Sequence, residues 1–182
     1  MLAFAEKGAY TRNYVQMHVS SDSSVPSPSS STSGSRSLPS PACACGRLRR
    51  ATRALTQRYD DLMAPSGLRV TQFSLLRTID SAGMCTLSDL AQTLLLDRTA
   101  LSRTLDPLAE RGLVAIAPGR DARTREVSLT RAGERALADA LPHWRRAQAE
   151  VARRIGPAKL QALIATLGDI EALHPDPGGR GR

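Results

Sequence analysis

Four polar side chains lie near the start of a predicted helix in the middle of the chain: Arg98, Thr99, Ser102 and Arg103. The segment is apolar on one side only, and these four residues occupy the other side. A guanidinium group can donate two parallel hydrogen bonds to a guanine edge, and hydroxyl groups can contact base edges or a thymine methyl group. The pattern indicates recognition of a nucleic acid. The alternative is an ordinary surface helix with solvated polar residues.

A second group of charged residues follows in the loop 118–125: Arg120, Asp121, Arg123 and Arg125. The apolar run 113–116 precedes this loop, and residues 126–129 after it alternate between polar and apolar. These two runs predict a β-hairpin. Arginines at a hairpin tip suit a narrow minor groove, where negative potential is concentrated. We expect Asp121 to pair with a loop arginine and so to order the tip.

Two predicted helices position the first group. Thr86 precedes an acid by three residues, which is typical of a helix N-cap, and predicts a helix from residue 87 to about 94. Asp97 is the next N-cap candidate and opens a helix to about 111, in which Pro107 predicts a restarted turn. Two short helices joined by a tight turn predict a helix-turn-helix motif.

The outer helices are predicted at about 45–63 and about 131–173, on either side of a lobe spanning about 70–130. Their apolar stripes exceed what one small core can cover. Pairing with the same helices of a second copy would bury them, so we expect a homodimer. Packing within one subunit is the alternative. The predicted fold class is therefore mainly α with a small β-hairpin wing.

The first 41 residues differ in composition from the rest. Residues 20–40 contain twelve serines and three prolines, which predicts a disordered tail, 1–41, before a folded region, 42–182. The formal net charge of +8 suits a polyanionic partner. All but Lys7 and Lys159 of the 25 basic residues are arginines, a bias that a GC-rich genome also produces.

The cellular compartment is predicted from three features that the sequence lacks. No run is long and apolar enough for a membrane helix, and the N-terminal region is not typical of a signal peptide. Three cysteines, an odd number, argue against a secreted disulfide scaffold. We therefore expect a cytoplasmic protein with no membrane partner.

The motifs together resemble the MarR family of bacterial regulators over roughly residues 43–173. The resemblance rests on runs in the expected order: 67–73, 87–91, 97–103, 110–114, 121–123 and 129–133. It implies a dimer joined by its first and last helices, with a recognition helix in the major groove and a wing in the minor groove. It also implies that Asp121 and Arg123 form the wing pair, and that Thr71 and Gln72 contact phosphate. Such regulators usually bind a pseudo-palindrome and are released by a small ligand or by oxidation.

Cys43 and Cys45 lie at the start of the first predicted helix, where the helix dipole favours a reactive thiolate. Cys45 and Tyr59 match positions of the peroxide-sensing branch of the family. Arg49 departs from that branch, which has a tyrosine there. The alternatives are ordinary cysteines near a helix end, or metal sensing, for which two thiolates are too few to close a zinc site. We predict no metal site and no cofactor.

His143 and Trp144 are the candidate lining of a ligand pocket between the outer helices and the DNA-binding lobe. Burial of the tryptophan for packing alone is the preferred interpretation, because amphipathic helices often bury one in this way.

Competing classes of function have weaker support. The sequence contains no nucleotide-binding loop, paired histidine ligands or nucleophile elbow, so we expect no enzyme. A thiol oxidoreductase would not need an arginine-bearing hairpin, and a winged module for protein or RNA would not need a recognition face. We expect a sequence-specific DNA-binding regulator that acts as a repressor and is released by a small ligand or by thiol oxidation.

Overall fold

The computed structural model describes residues 43–119, 121 and 124–174, which form helices and one small antiparallel sheet. The helices are α1 (Ala44–Met63), α2 (Val70–Ala82), α3 (Leu87–Thr93), α4 (Arg98–Glu110), α5 (Arg131–Ile155) and α6 (Pro157–Glu171). The strands are β1 (Cys85–Thr86), β2 (Val114–Pro118) and β3 (Arg125–Leu129). The predicted class, mainly α with a β-hairpin wing, is confirmed.

The chain divides into two compact units, Met1–Thr52 and Arg53–Arg182. In the first unit the described residues are 43–52, which enter α1 with both of their cysteines exposed. The second unit contains the rest of α1 and every later element. The predicted tail, 1–41, lies outside the described residues, so its disorder stays a prediction.

Three side chains cap helices, and Thr86 and Asp97 do so at the positions predicted above. The Oγ1 atom of Thr86 accepts a hydrogen bond from the amide of Asp89 at 3.1 Å, which starts α3. The Oδ1 atom of Asp97 accepts from the amide of Ala100 at 2.8 Å, which starts α4. Each cap pairs an amide that has no partner within its own helix, and each contributes about 1 kcal/mol. The third cap, Thr130 on α5, belongs to the junction described below.

The sheet has three strands in the order β1-β3-β2 rather than the two of a bare hairpin. β2 and β3 are antiparallel, with Val114 opposite Leu129 and Pro118 opposite Arg125. The two-residue β1 pairs with the other edge of β3, where Cys85 lies opposite Val127. This pairing connects the segment just before α3 to the hairpin, so the helix-turn-helix is joined to the wing through the sheet.

The core lies between the helix-turn-helix, α2, α5 and the sheet. The largest fully buried side chains are Phe73, Met63, Leu76, Ile79, Leu90, Leu101, Leu105, Leu108 and Val127. Burial of one such side chain contributes about 1.5–3 kcal/mol. Three of these leucines lie on the inner side of α4, so core packing determines which side of α4 remains exposed.

The helix α4 continues through Pro107, whereas the sequence predicted a restarted turn there. The proline has no amide hydrogen, so the carbonyl of Arg103 loses its usual intrahelical donor. Burial of Leu105 and Leu108 on either side of the proline holds the helix in one piece.

The helix α6 has no buried residue in this single chain. Leu163, Ile164 and Ile170 are 38%, 44% and 37% exposed, and Leu55 of α1 is 40% exposed. Within the described part of the chain, no helix is long and apolar enough to cross a membrane.

Candidate nucleic-acid interface

The outer side of α4 carries the four polar residues that the sequence singled out. Arg98, Thr99, Ser102 and Arg103 are all exposed, while the leucines of the same helix are buried. Asp97 caps this helix, so the N-terminal turn that contains Arg98 and Thr99 is well formed. Their contact with DNA remains a prediction.

Arg98 makes one side-chain contact across the motif. Its Nη2 atom donates a hydrogen bond to the Oγ atom of Ser88 on α3, at 2.8 Å. Neither Arg98 nor Arg103 forms an ion pair with a carboxylate of the described residues. The positive charge on this face is therefore not neutralised from within the described chain.

The wing closes through backbone contacts at its tip. The amide of Gly119 donates to the carbonyl of Thr124 at 2.9 Å, and both the amide and the Oγ1 hydroxyl of Thr124 donate to the carbonyl of Asp121 at 2.8 Å. A Cβ atom on Gly119 would overlap the Oγ1 atom of Thr124, so a side chain there would displace that hydroxyl from the carbonyl of Asp121. Arg125 and Asp121 are exposed.

Two of the predicted wing residues, Arg120 and Arg123, lie outside the described residues. The expected pairing of Asp121 with a loop arginine therefore stays a prediction.

The start of α2 is anchored by a residue that the sequence analysis missed. The Oδ1 atom of Asp60 on α1 accepts a hydrogen bond from the amide of Val70 at 2.7 Å. The Oε1 atom of Gln72 accepts from the amide of Arg69 at 3.1 Å, so its amide nitrogen is the part that can reach a phosphate. Thr71 is exposed.

Polar side chains join α1 to α5. Arg58 donates to Glu150, and Arg154 bonds to the same carboxylate at 3.1 Å. The hydrogen bond from Arg58, with both arginine charges, lowers the pKa of Glu150 below its usual range against the opposing effect of burial. The Nε atom of Arg58 is buried and has no hydrogen-bond partner in the described part of the chain.

Tyr59 is buried, and its hydroxyl donates to the Oε1 atom of Gln148. Burial raises the pKa of this tyrosine. Its hydroxyl therefore forms part of the contact between α1 and α5, and its role in redox sensing stays a prediction.

The three cysteines are free thiols in different surroundings. Cys43 and Cys45 are exposed, whereas Cys85 is half-buried in the sheet. Burial raises the pKa of the Cys85 thiol, and the charge of Asp89 raises it further. A raised pKa lowers the thiolate fraction at neutral pH. Among residues 43–119, 121 and 124–174, no cluster of histidine, cysteine and acidic side chains could hold a metal ion.

Trp144 takes part in packing between α5 and α2. Its ring stacks on Phe73 with centroids 5.6 Å apart, and the guanidinium of Arg77 lies 5.0 Å from the Trp144 centroid and 5.8 Å from that of Phe73. This arrangement supports the packing interpretation of the tryptophan. His143 is half-buried, and a ligand pocket at this pair of residues stays a prediction.

A junction at the base of the wing also escaped the sequence analysis. The Oγ1 atom of Thr130 accepts from the amide of Gly133 at 3.0 Å and donates to the carbonyl of Gly112 at 2.7 Å. The amide of Thr130 donates to the carbonyl of Leu113 at 3.1 Å. One residue thus connects the end of α4, the wing and the start of α5.

Comparison with known proteins gives consistent matches. A MarR family model matches residues 66–124. The M. tuberculosis transcriptional regulator MosR in complex with DNA is 43% identical, with a TM-score of 0.63, and the alignment covers 70% of this chain and 95% of that chain. A second structure of M. tuberculosis MosR is 39% identical, with 71% and 95% covered and a TM-score of 0.60.

A third similar structure is the transcriptional repressor CouR bound to a 23-mer DNA duplex. It is 27% identical, with 70% of this chain and 92% of that chain covered and a TM-score of 0.64. No curated protein sequence matches the chain. The MosR identity over nearly the whole of that regulator, together with the family model across the helix-turn-helix and wing, shows that this chain belongs to the MarR family of winged helix-turn-helix transcriptional regulators, which are not enzymes.

Proposed function

We propose that this chain is a sequence-specific, dimeric DNA-binding repressor that inserts α4 into the major groove and its wing into the adjacent minor groove. The observation that carries the proposal is the outer face of α4, where two arginines and two hydroxyl residues are exposed on a helix whose opposite side is buried. Arginine and hydroxyl groups in the first turns of a helix are the usual means of reading base edges. The DNA complexes of MosR and CouR support the same interpretation.

The wing supplies the second contact. Arg125 is exposed where β3 leaves the tip, and Arg120 and Arg123 belong to the same loop. Thr71 and Gln72 at the start of α2 supply phosphate contacts through the Thr71 hydroxyl and the amide nitrogen of the Gln72 side chain, since such donors commonly bind phosphate oxygens.

Dimerisation uses the apolar face of α6 together with α1. Leu163, Ile164 and Ile170 are each more than a third exposed in the single chain, and together they form a contiguous apolar row on one helix. A second copy would cover this row, and a two-fold arrangement would place two recognition helices one DNA turn apart. Size-exclusion chromatography with light scattering would test the dimer, and a Leu163→Glu variant should shift the protein towards monomer.

The direct test of the function is fluorescence anisotropy with DNA from upstream of the gene against a scrambled duplex, over a salt series. We expect selective binding that weakens with salt, with a slope of about 0.9 per phosphate contact. Arg103→Ala should weaken selective binding by about tenfold or more, which is the effect of losing one base contact. Arg123→Ala should weaken binding to every duplex and reduce the salt slope.

Arg153→Ala is the matched control for these arginine variants. Arg153 is exposed in the last turn of α5, about 33 Å along the helix from the wing. Its removal should leave selectivity unchanged. Equal, weak binding of the parent protein to both duplexes, repeated with DNA selected from random sequence, would contradict the proposed function.

Release by thiol oxidation is the part of the proposal that concerns Cys43 and Cys45, which are exposed and unbonded. Peroxide should lower operator affinity in the parent protein and leave a Cys45→Ser variant unaffected. Cys85→Ser is the control, because Cys85 is half-buried and its pKa is raised. If the Cys45→Ser protein still responds to peroxide, Cys45 is not the sensing thiol, and if the parent protein does not respond at all, release belongs to a small ligand instead.

A further inference from the structure

Arg98 begins α4 and is held by a side chain from the preceding helix. The hydrogen bond from its Nη2 atom to Ser88 Oγ measures 2.8 Å, although both residues are exposed. Exposed arginines normally sample many rotamers, and they lose that freedom when they bind a partner. A bond that fixes the guanidinium before binding lowers this cost.

The two residues of this hydrogen bond, Ser88 and Arg98, lie in the first turns of capped helices. Thr86 and Asp97 cap α3 and α4. Between the two helices, the amide of Leu96 donates to the carbonyl of Ala91 at 2.9 Å. The Ser88 hydroxyl therefore keeps a constant position relative to the first turn of α4.

The bond leaves most of the guanidinium available. Ser88 takes one of five N–H donors, so Nη1, Nε and the second hydrogen of Nη2 can still form a bidentate contact with guanine or phosphate. No carboxylate of the described chain pairs with Arg98, so its full charge faces outward.

We propose that Ser88 is a positioning residue for Arg98, fixing the guanidinium in the orientation in which it contacts DNA. This inference rests on the proposed DNA-binding function. It extends the recognition surface from α4 to α3 and assigns a role to a residue that the sequence analysis did not single out.

The test is a double-mutant cycle on affinity for a selected duplex, with Ser88→Ala, Arg98→Ala and the double variant. Ser88→Ala should weaken binding about three- to tenfold, the effect of losing one hydrogen bond, and should have no further effect once Arg98 is alanine. The salt slope should stay constant in Ser88→Ala, because no charge is removed. Ser88→Thr, which keeps the hydroxyl, should restore most of the affinity.

A merely structural role would show as a fall in thermal stability, which we do not expect, because the higher helix propensity of alanine offsets the loss of one exposed hydrogen bond. Ser81→Ala is the matched control, since Ser81 is exposed at the end of α2. Four results would overturn the inference: unchanged or tighter binding by Ser88→Ala, an equal loss in the Arg98→Ala background, no restoration by threonine, or the same loss in Ser81→Ala. Failure of the parent protein to distinguish the selected duplex from a scrambled one would instead contradict the proposed function, and the inference with it.

Discussion

Replacement of Gly133 by alanine should destabilise the protein, although it adds a better helix former to a helix. Gly133 is buried in the first turn of α5. A Cβ atom there would overlap the carbonyl oxygen of Leu113 and lie 3.0 Å from its carbonyl carbon. That oxygen accepts the amide of Thr130 at 3.1 Å, so it cannot retreat without losing a hydrogen bond.

The cost of this overlap can be compared with the gain in helix propensity from alanine. Overpacking against a fixed neighbour costs about 1–3 kcal/mol, towards the upper end when the neighbour is backbone. The gain in helix propensity is about 1 kcal/mol. The net loss in unfolding free energy is therefore about 1–2 kcal/mol, or a fall in Tm of about 3–8 °C for a chain of this size.

The assay is chemical unfolding at one protein concentration, followed by circular dichroism. Gly46→Ala in the first turn of α1 is the matched control, because nothing lies within 4 Å of a Cβ added there. We expect the control to raise the midpoint while Gly133→Ala lowers it. A midpoint for Gly133→Ala equal to or above that of the parent would refute the argument, since it would mean that helix propensity outweighs contact with the Leu113 carbonyl.

Three further predictions concern other parts of the second unit. Leu95 has a φ of 53°, a conformation that costs an L-residue about 1–2 kcal/mol. Leu95→Gly relieves this cost but removes a side chain that is only 43% exposed, a loss of about 1 kcal/mol, so the unfolding free energy should stay within about 1 kcal/mol of the parent value; a larger fall in the denaturation midpoint would contradict this. Because the pKa of Glu150 is lowered by Arg58, its stabilising contribution is complete above the ordinary glutamate pKa of about 4.3 and is lost as the pH falls through the lowered value. Acid unfolding of Glu150→Gln should accordingly depend less steeply on pH than that of the parent, and identical profiles would count against the ion pair. Arg77→Ala should remove about 1 kcal/mol and change the fluorescence emission of Trp144, the one tryptophan of the sequence, whereas an unchanged spectrum would mean that the guanidinium does not lie over the ring.

Features with local signals could be predicted from the sequence. Thr86 and Asp97 each precede an amide that they cap by three residues, so the spacing alone indicates the start of α3 and of α4. The leucines of α4 repeat with helical spacing, which predicted the buried side and therefore the exposed polar side. The family motifs, which combine these same signals, were sufficient for the family assignment.

Contacts between residues distant in sequence could not be predicted in this way. Arg58 and Glu150 are 92 positions apart, and neither has a local pattern that indicates the other. The strand β1 is too short to show alternation, and nothing in its two residues indicates β3 as its pairing partner. The close approach of the Leu113 carbonyl to Gly133 likewise has no local signal in the sequence, because the two residues are brought together only by the fold.

Pro107 was interpreted wrongly for a related reason. Its local chemistry favours a break, but buried leucines on both sides hold α4 together. Tertiary packing thus outweighed a local preference whose cost is about 3 kcal/mol.

The single hydroxyl of Thr130 has a mechanical consequence. The hydroxyl accepts from the amide of Gly133 and donates to the carbonyl of Gly112, so it couples the start of α5 to the end of α4 beside the wing. The helix α5 continues from this junction for 25 residues, a length of about 37 Å. A displacement at the far end of α5 would therefore act on α4 and the wing together, and in the DNA complex that we propose both would enter or leave their grooves at the same time.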